Sequence, residues 1–183
     1  EVPSTKEGCP GVSVLVCAHN EAYNLSAYLY ALLSQDYPTY EVIVVDDGSE
    51  DKTREVIESY MVQDKRLRTT FVPKEARVRS TKKLALTLAA KAAQYDYLLL
   101  TDADCTPEST HWISEMMRGF EPNTKEIVLG FGAYFYEKGF VNRLVRYDTL
   151  FNGLHYLSAA AHGHPYMGVG RNLAYKKELF FKT

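Results

Sequence analysis

The sequence has few cysteines, no large excess of charge of either sign and no long apolar segment. Cys9, Cys17 and Cys105 are an odd number without C-x-x-C spacing, which argues against a disulfide framework or zinc knuckle and favours a reducing compartment. The net charge of -2 favours no nucleic-acid partner. No apolar run approaches the roughly 18 residues that span a bilayer. We therefore expect a cytoplasmic location, including the cytoplasmic face of a membrane.

The apolar pattern predicts an α/β fold. Hydrophobic residues make up 46% of the 183 residues, which is enough for one globular domain with a sizeable core. Short apolar runs alternate with segments of helical periodicity. The predicted strands are residues 12–17, 41–46, 68–72 and 97–101, and the predicted helices cover residues 25–33, 56–60 and 82–94. Strands that are apolar on both faces and alternate with helices predict a mostly parallel sheet flanked by helices.

The rest of the chain has a different rhythm. Thr106 and Pro107 are the expected N-cap and first residue of a helix. Further expected elements are a strand at residues 127–135, a helix at 142–161, a Gly-rich loop leading into a strand at 166–175 and the opening of a helix at 177–181. Because the chain stops before that last helix is complete, we expect a single domain over residues 1–183 that is cut short at its C-terminus.

Three predicted strands end in acidic or polar residues. They lead into residues 17–21 (CAHNE), 46–49 (DDGS) and 102–104 (DAD). Parallel strands place their carboxyl ends at one edge of a sheet, where such sheets bind ligands. Ser49 and Thr106 also suit helix capping. The crowded carboxylates, by contrast, predict a cation or a hydrogen-bond donor between them, because like charges repel.

The acidic pair Asp102 and Asp104 is a sensible half-site for a hard divalent ion. Mg²⁺ and Mn²⁺ prefer oxygen ligands and commonly combine one or two carboxylates with substrate phosphates. Two acids within three residues also occur by chance, so the triplet gains weight only from its position after an apolar strand.

Several segments, in order, resemble glycosyltransferase family 2, whose members use nucleotide-sugar donors and have the Rossmann-like GT-A fold. They are residues 12–22 (VSVLVCAHNEA), 33–38 (LSQDYP), 41–49 (EVIVVDDGS), 98–107 (LLLTDADCTP) and 168–176 (GVGRNLAYK). The resemblance implies inverting, metal-dependent transfer of a sugar from a UDP- or GDP-sugar to a glycan or lipid-linked acceptor, with Mn²⁺ or Mg²⁺ as cofactor. It is also compatible with membrane association through segments absent from this chain.

The resemblance also implies roles for individual residues. Asp47 would accept the N3 proton of a uracil-type base, which suits an ionised carboxylate. Asp102 would hydrogen-bond the ribose or a metal-bound water, and Asp104 would ligate the metal. Lys82 and Lys83 would add positive charge near the base or diphosphate, although a solvated lysine pair fits the sequence as well. The expected nucleotide-sugar-binding set is Cys17, Ala18, His19, Glu21, Asp47, Lys82, Lys83, Asp102 and Ala103.

The acceptor side is less sharply defined. The expected acceptor or sugar pocket consists of His164, Gly168, Arg171 and Asn172. His162 and His164 have a spacing that a metal could use, but they lack a nearby third ligand. In family 2 the general base follows the strand that matches residues 172–176, and the chain ends at Thr183 without such a motif. We therefore assign no catalytic base and expect donor and metal binding with little or no sugar transfer.

Two other readings fit part of the sequence. Residues 102–106 match the D-x-D-x-T motif of haloacid-dehalogenase-type phosphatases, in which Asp102 would be the nucleophile and Asp104 the acid-base. That motif usually follows the first strand, and no later Asp pair is present to hold magnesium. Alternatively, Asp46 and Asp47 would form the acidic pocket of a non-catalytic nucleotide-binding or signalling module.

Overall fold

The computed structural model describes residues 9–72, 81–120 and 125–182, with the side chain of Thr81 left out. The strands are β1 (Val12–Ala18), β2 (Tyr40–Asp46), β3 (Leu67–Phe71), β4 (Tyr97–Asp102), β5 (Ile127–Leu129) and β6 (Leu173–Lys176). The helices are α1 (Ala22–Leu33), α2 (Thr53–Gln63), α3 (Thr81–Ala92), α4 (Trp112–Arg118), α5 (Phe140–Ala161) and α6 (Lys177–Lys182). A 3-10 turn, Gly170–Asn172, precedes β6.

The six strands form one sheet in the order β3-β2-β1-β4-β6-β5. The four strands β1 to β4 are parallel, whereas β6 runs antiparallel to β4 and to β5. This arrangement confirms the predicted mostly parallel α/β sheet. In the register, Cys17 lies opposite Asp102 and Ala18 lies opposite Asp46, so three strand ends meet at one edge.

The central strands are buried on both faces, which explains their continuous apolar runs. Val14, Val16 and Leu99 pack on one face with apolar side chains of α1, α2 and α4. Leu15 and Leu98 point to the other face, where they meet the alanines of α3 and Tyr175 of β6. Adjacent residues of a strand thus serve two core clusters, which hold the central strands rigidly beneath the carboxyl-end loops.

The helix expected at Thr106 begins instead at Trp112, with His111 as N-cap. Residues 103–111 form a loop that Gln35 ties to the end of α1. The Gln35 amide donates to Ser109 O, and its Oε1 accepts the backbone N–H of Ile113. These long-range hydrogen bonds override the local helix-start signal of Thr106. The expected cap at Ser49 is also wrong, because Lys52 is the N-cap of α2.

The strand expected at residues 127–135 ends at Leu129. Beyond it, side chains replace the backbone ladder as partners of the chain. Asn172 Nδ2 donates to Phe131 O at 2.9 Å, and Arg171 Nε donates to Gly132 O at 3.1 Å. These side-chain donors hold the segment beside β6 without extending the strand.

The long helix α5 starts two residues before its predicted beginning. It has 22 residues, but only Gly153 and Tyr156 are buried. Over the described residues, none of the helices combines the length and apolar character that crossing a bilayer demands.

Candidate functional site

A cavity of about 470 Å³ opens at the carboxyl ends of β1 and β4 and beside the loop after β2. Its lining residues are Cys17, Ala18, His19, Glu21, Asp47, Lys82, Asp102, Ala103 and Asp104. The parallel register of the three strands gathers residues that are far apart in sequence. The lining therefore includes every residue expected in the nucleotide-sugar set except Lys83, together with the expected metal ligand Asp104.

Asp47 has an unpaired carboxylate oxygen in this setting. Among the residues that the structure describes, its Oδ1 is the one buried side-chain N or O atom without a hydrogen-bond partner. The backbone of Asp47 is fixed on both sides, since its N–H donates to Ala18 O and its carbonyl accepts a 2.8 Å hydrogen bond from His19 Nδ1. Leaving a buried acceptor unpaired is costly, which points to a donor group supplied by a ligand.

The loops after β1 and β2 are clipped together by Asn20, which the sequence analysis did not single out. Asn20 adopts a left-handed backbone conformation with φ 57°, which asparagine tolerates better than most residues. Its N–H donates to Ser49 Oγ at 2.9 Å, and its Oδ1 accepts the N–H of Glu50 at 2.8 Å. These bonds link the loop after β1 to the loop after β2, and the second of these loops contains Asp47.

Thr53 and Asp51 extend this clip to the starts of α1 and α2. Thr53 Oγ1 accepts the N–H of Glu21, and Asp51 Oδ2 accepts the N–H of Ala22. The hydrogen bond from the Thr53 hydroxyl lowers the pKa of Asp51. Asp and Thr are typical of helix starts, so the sequence alone could have indicated this role for the two residues.

Asp46 does not join the other carboxylates. Its Oδ1 accepts the N–H of Ser49 at 2.8 Å, which closes the turn after β2, and it does not line the cavity. Asp46 thus lies at the expected edge of the sheet, but its side chain does not face the cavity with the other carboxylates. The acidic residues that line the cavity are Glu21, Asp47, Asp102 and Asp104.

Asp102, Asp104 and Cys105 form the one three-residue group in the described ranges that could hold a metal ion. One ligand atom from each lies within 4.8 Å of the others. Cys105 Sγ donates to Asp104 Oδ1 at 3.4 Å. Asp104 is exposed and Asp102 is half-buried at the end of β4, so both carboxylates are accessible. Two adjacent carboxylates fit the oxygen preference of Mg²⁺ or Mn²⁺. The proximity of Cys105 to these carboxylates was not predicted from the sequence.

Lys82 already contacts this acidic group. Its Nζ lies 2.8 Å from Asp102 Oδ1, and this hydrogen bond raises the pKa of Lys82. Lys83, the next residue of α3, is exposed and is absent from the cavity lining. Lys82 and Lys83, which were both expected near the nucleotide, therefore point in different directions from α3.

Cys17 lies beneath the cavity, opposite Asp102 in the sheet. Burial raises the pKa of its thiol to about 12. The thiol therefore stays protonated at neutral pH. It contributes a small uncharged surface to the cavity and does not act as a nucleophile.

The residues expected in an acceptor pocket lie outside this cavity. Asn172 Oδ1 accepts the indole N–H of Trp112 at 3.0 Å, and the Arg171 guanidinium lies 4.9 Å from the ring centre of Tyr134. A Cβ at Gly168 would approach Leu129 to 2.9 Å, so Gly168 serves close packing. His164 is exposed. Arg171 and Asn172 hold the segment after β5 through their side chains, and Gly168 packs against Leu129.

The later acids also lie away from the cavity. Glu178 pairs with Lys182, and Asp148 Oδ2 accepts the amide of Asn152 at 3.0 Å. Neither these residues nor Glu137 line the cavity.

The family model "Glycosyl transferase family 2" matches residues 13–181. The poly-beta-1,6-N-acetyl-D-glucosamine synthase of Staphylococcus epidermidis is 35% identical over 103 residues, which are 56% of this chain and 24% of that protein. Glycosyltransferase AglE of Haloferax volcanii is 28% identical over 145 residues, which are 78% of this chain and 46% of that protein. The chain therefore matches between a quarter and a half of the length of these relatives.

Solved structures share the fold. The mannosyltransferase PcManGT of Pyrobaculum calidifontis, in complex with GDP-Man and Mn²⁺, superposes with a TM-score of 0.72 and 24% identity, covering 96% of this chain and 47% of that one. Glucosyl-3-phosphoglycerate synthase of Mycobacterium tuberculosis, in complex with Mn²⁺ and UDP-glucose, gives a TM-score of 0.58 and 22% identity, covering 93% of this chain and 57% of that one. These likenesses show the GT-A fold.

Proposed function

The chain belongs to glycosyl transferase family 2, and we propose that its cavity binds the nucleoside diphosphate part of a UDP- or GDP-sugar for transfer of the sugar to an acceptor. The observation that carries this proposal is that Asp47, whose Oδ1 lacks a hydrogen-bond partner among the described residues, lines the same cavity as Asp102 and Asp104. An imide N–H of a nucleobase would satisfy that oxygen. The donor-bound relatives of the same fold support the assignment.

Cys17, Ala18 and His19 would then contact the base or ribose from the end of β1. Their neighbour Glu21 is held by Asn24, whose amide donates to Glu21 Oε2 at 2.6 Å. Ala103 provides a small surface between the two aspartates of the D-x-D motif. Together these groups give a wall that is polar at its rim and compact at its floor.

Asp104 and Asp102 would hold a Mn²⁺ or Mg²⁺ ion, with Cys105 close by. A divalent ion bound there would supply Lewis-acid stabilisation of the charge that develops on the leaving diphosphate. Asp102 would also be placed to hydrogen-bond the ribose or a bound water. The chain's own contribution is to hold two carboxylates at the end of a buried strand, opposite the base-binding Asp47.

A glycan or lipid-linked molecule is the proposed acceptor, with inversion at the transferred sugar. His164, Gly168, Arg171 and Asn172 would influence this acceptor through the segment beside β6. A location at the cytoplasmic face of a membrane would suit a lipid-linked acceptor. We assign no general base among the residues that the structure describes.

The phosphatase reading is not favoured. The D-x-D-x-T motif of those phosphatases usually follows the first strand, whereas Asp102 lies on the fourth strand of the chain. The signalling reading needs Asp46 in an open acidic pocket, whereas Asp46 closes a turn. Family membership and the fold support the donor site instead.

The product that the protein releases distinguishes a glycosyltransferase from a phosphatase. The protein is incubated with Mn²⁺ and either UDP- and GDP-sugars or a simple phosphate ester, and released nucleoside diphosphate and inorganic phosphate are measured separately, beside donor binding by thermal shift. We expect metal-dependent stabilisation by a donor, slow release of nucleoside diphosphate and no phosphate. Release of phosphate from simple phosphate esters would contradict the proposal.

A further inference from the structure

The candidate metal-binding group, Asp102, Asp104 and Cys105, is already in contact with a cation, the ammonium of Lys82. Its Nζ lies 2.8 Å from Asp102 Oδ1, and Asp102 belongs to the group whose ligand atoms lie within 4.8 Å of one another. A divalent ion on these carboxylates would therefore lie a few ångströms from Nζ. Two cations at that separation repel each other unless an anion enters between them.

We propose that Lys82 is a mobile counter-ion that occupies Asp102 until the metal and the diphosphate arrive together. This inference rests on the proposed donor site and adds a regulatory role for Lys82 in it. The metal alone must compete with the ammonium for Asp102. A diphosphate supplies a new anionic partner for Lys82, so it frees Asp102 for the ion.

The two members of the pair differ in mobility. The Lys82 side chain is 63% exposed and projects from the first turn of α3. The Asp102 side chain is 34% exposed, and its backbone is held at the end of β4 by pairing with Cys17 of β1. A flexible, hydrated lysine can change partners at little cost, whereas Asp102 stays in place to receive the ion.

The expected consequence is positive coupling between metal and diphosphate. Mn²⁺ alone binds weakly, UDP raises the affinity for Mn²⁺, and Mn²⁺ raises the affinity for UDP by the same factor. Removing the ammonium removes the competitor, so it strengthens binding of the metal alone and weakens the coupling. A lysine that acted only as a phosphate ligand would leave binding of the metal alone unchanged.

The test compares Lys82→Met with Lys83→Met. Lys83 is adjacent in sequence, carries the same charge, is exposed and does not line the cavity, which makes it a matched control. Free Mn²⁺ is titrated by electron paramagnetic resonance with and without UDP and, separately, GDP. Circular dichroism of each variant checks that the fold is kept.

We expect Lys82→Met to bind Mn²⁺ alone about two- to fivefold more tightly, the range of a partly exposed ion pair. We also expect it to lose at least about half of the enhancement that the nucleotide gives the wild type, while Lys83→Met follows the wild type. Unchanged or weaker binding of Mn²⁺ alone by Lys82→Met, in a wild type that binds Mn²⁺ with UDP or GDP, would overturn this inference only. A wild type that binds no Mn²⁺ with either nucleotide would overturn the proposed metal-dependent donor site as well.

Discussion

The region of β1 to β4 and the region from residue 125 onward are built differently. In the first region the strands are buried on both faces and three of their ends form the cavity. In the second, α5 exposes large apolar side chains along its length, with Phe140 79% exposed, and none of residues 125–182 lines the cavity. The described residues that line the proposed donor site therefore all belong to the first region, on its strand ends, on the loops that follow them and on α3.

The two regions meet where β4 pairs with β6 and through side-chain hydrogen bonds. Leu98 lies opposite Tyr175 in the antiparallel pair, and the Trp112 indole donates to Asn172. The second region thus braces the edge of the first without contributing ligand-facing groups. Changes in the two regions should have separable effects on stability and on nucleotide binding.

The largest expected effect is on stability, from Leu99→Ala in the buried centre of β4. We expect the free energy of unfolding to fall by about 2 to 5 kcal/mol, because a fully buried leucine leaves a cavity. Leu150→Ala on α5 is the matched variant, since Leu150 is half exposed. It should change stability by less than about 0.5 kcal/mol. Urea unfolding followed by circular dichroism measures both, and equal losses would break the proposed contrast.

Asp104→Ala should remove metal-dependent nucleotide binding while the fold is kept. Asp104 is exposed at a strand end, so its loss costs little stability, whereas one of two carboxylates for the ion disappears. We expect at least about a hundredfold weaker binding of nucleoside diphosphate with Mn²⁺, or about 2.7 kcal/mol. Calorimetric titration measures it. Retained binding would show that the metal lies elsewhere.

Asp47→Asn should weaken recognition of the base more than binding of the metal. The change replaces an acceptor-only oxygen pair by a group that also donates, and a hydrogen bond to a charged group contributes about 1.5 to 3 kcal/mol. We expect affinity for the preferred nucleoside diphosphate to fall about tenfold or more while Mn²⁺ binding changes little. Competition titrations with UDP, GDP and AMP check this. The same loss for every nucleotide would argue against a base-specific role.

The smallest expected effect is that of Asn172→Ala. This variant removes the acceptor of the Trp112 indole and the donor to Phe131 O, so unfolding should become easier by about 1 to 2 kcal/mol. UDP or GDP affinity should stay within about twofold, because Asn172 does not line the cavity. Thermal unfolding and calorimetry of the same sample give both numbers. A large loss of affinity at unchanged stability would place Asn172 in the donor site.

The fold was predictable where local pattern and long-range packing agree. Continuous apolar runs such as β2 and β4 are typical of strands buried between helices, and the polar residues at their ends follow from that topology. The start of α4 was not predictable locally, because Gln35 holds the preceding loop from more than 70 residues away. The shortened β5 has a similar cause, since Arg171 and Asn172 bind its continuation through their side chains.

In the candidate site, too, residue type alone did not predict which side chains face the cavity. Asp46 and Asp47 are indistinguishable in sequence, yet one closes a turn and the other keeps an unpaired oxygen. Lys82 and Lys83 differ only in their direction on α3. Which of two like neighbours faces the cavity depends on turn geometry and helix phase, and residue type alone does not carry this information.

Calorimetric titration of the wild-type protein with UDP and with GDP, each with Mn²⁺ and with a chelator, tests the central claim most directly. AMP serves as the control nucleotide. The account predicts that one diphosphate binds at a single site with Mn²⁺ and loses most of its affinity in chelator, while AMP stays weak. Absence of binding by both diphosphates, or equal binding of AMP, would contradict the assignment of the cavity as a donor site.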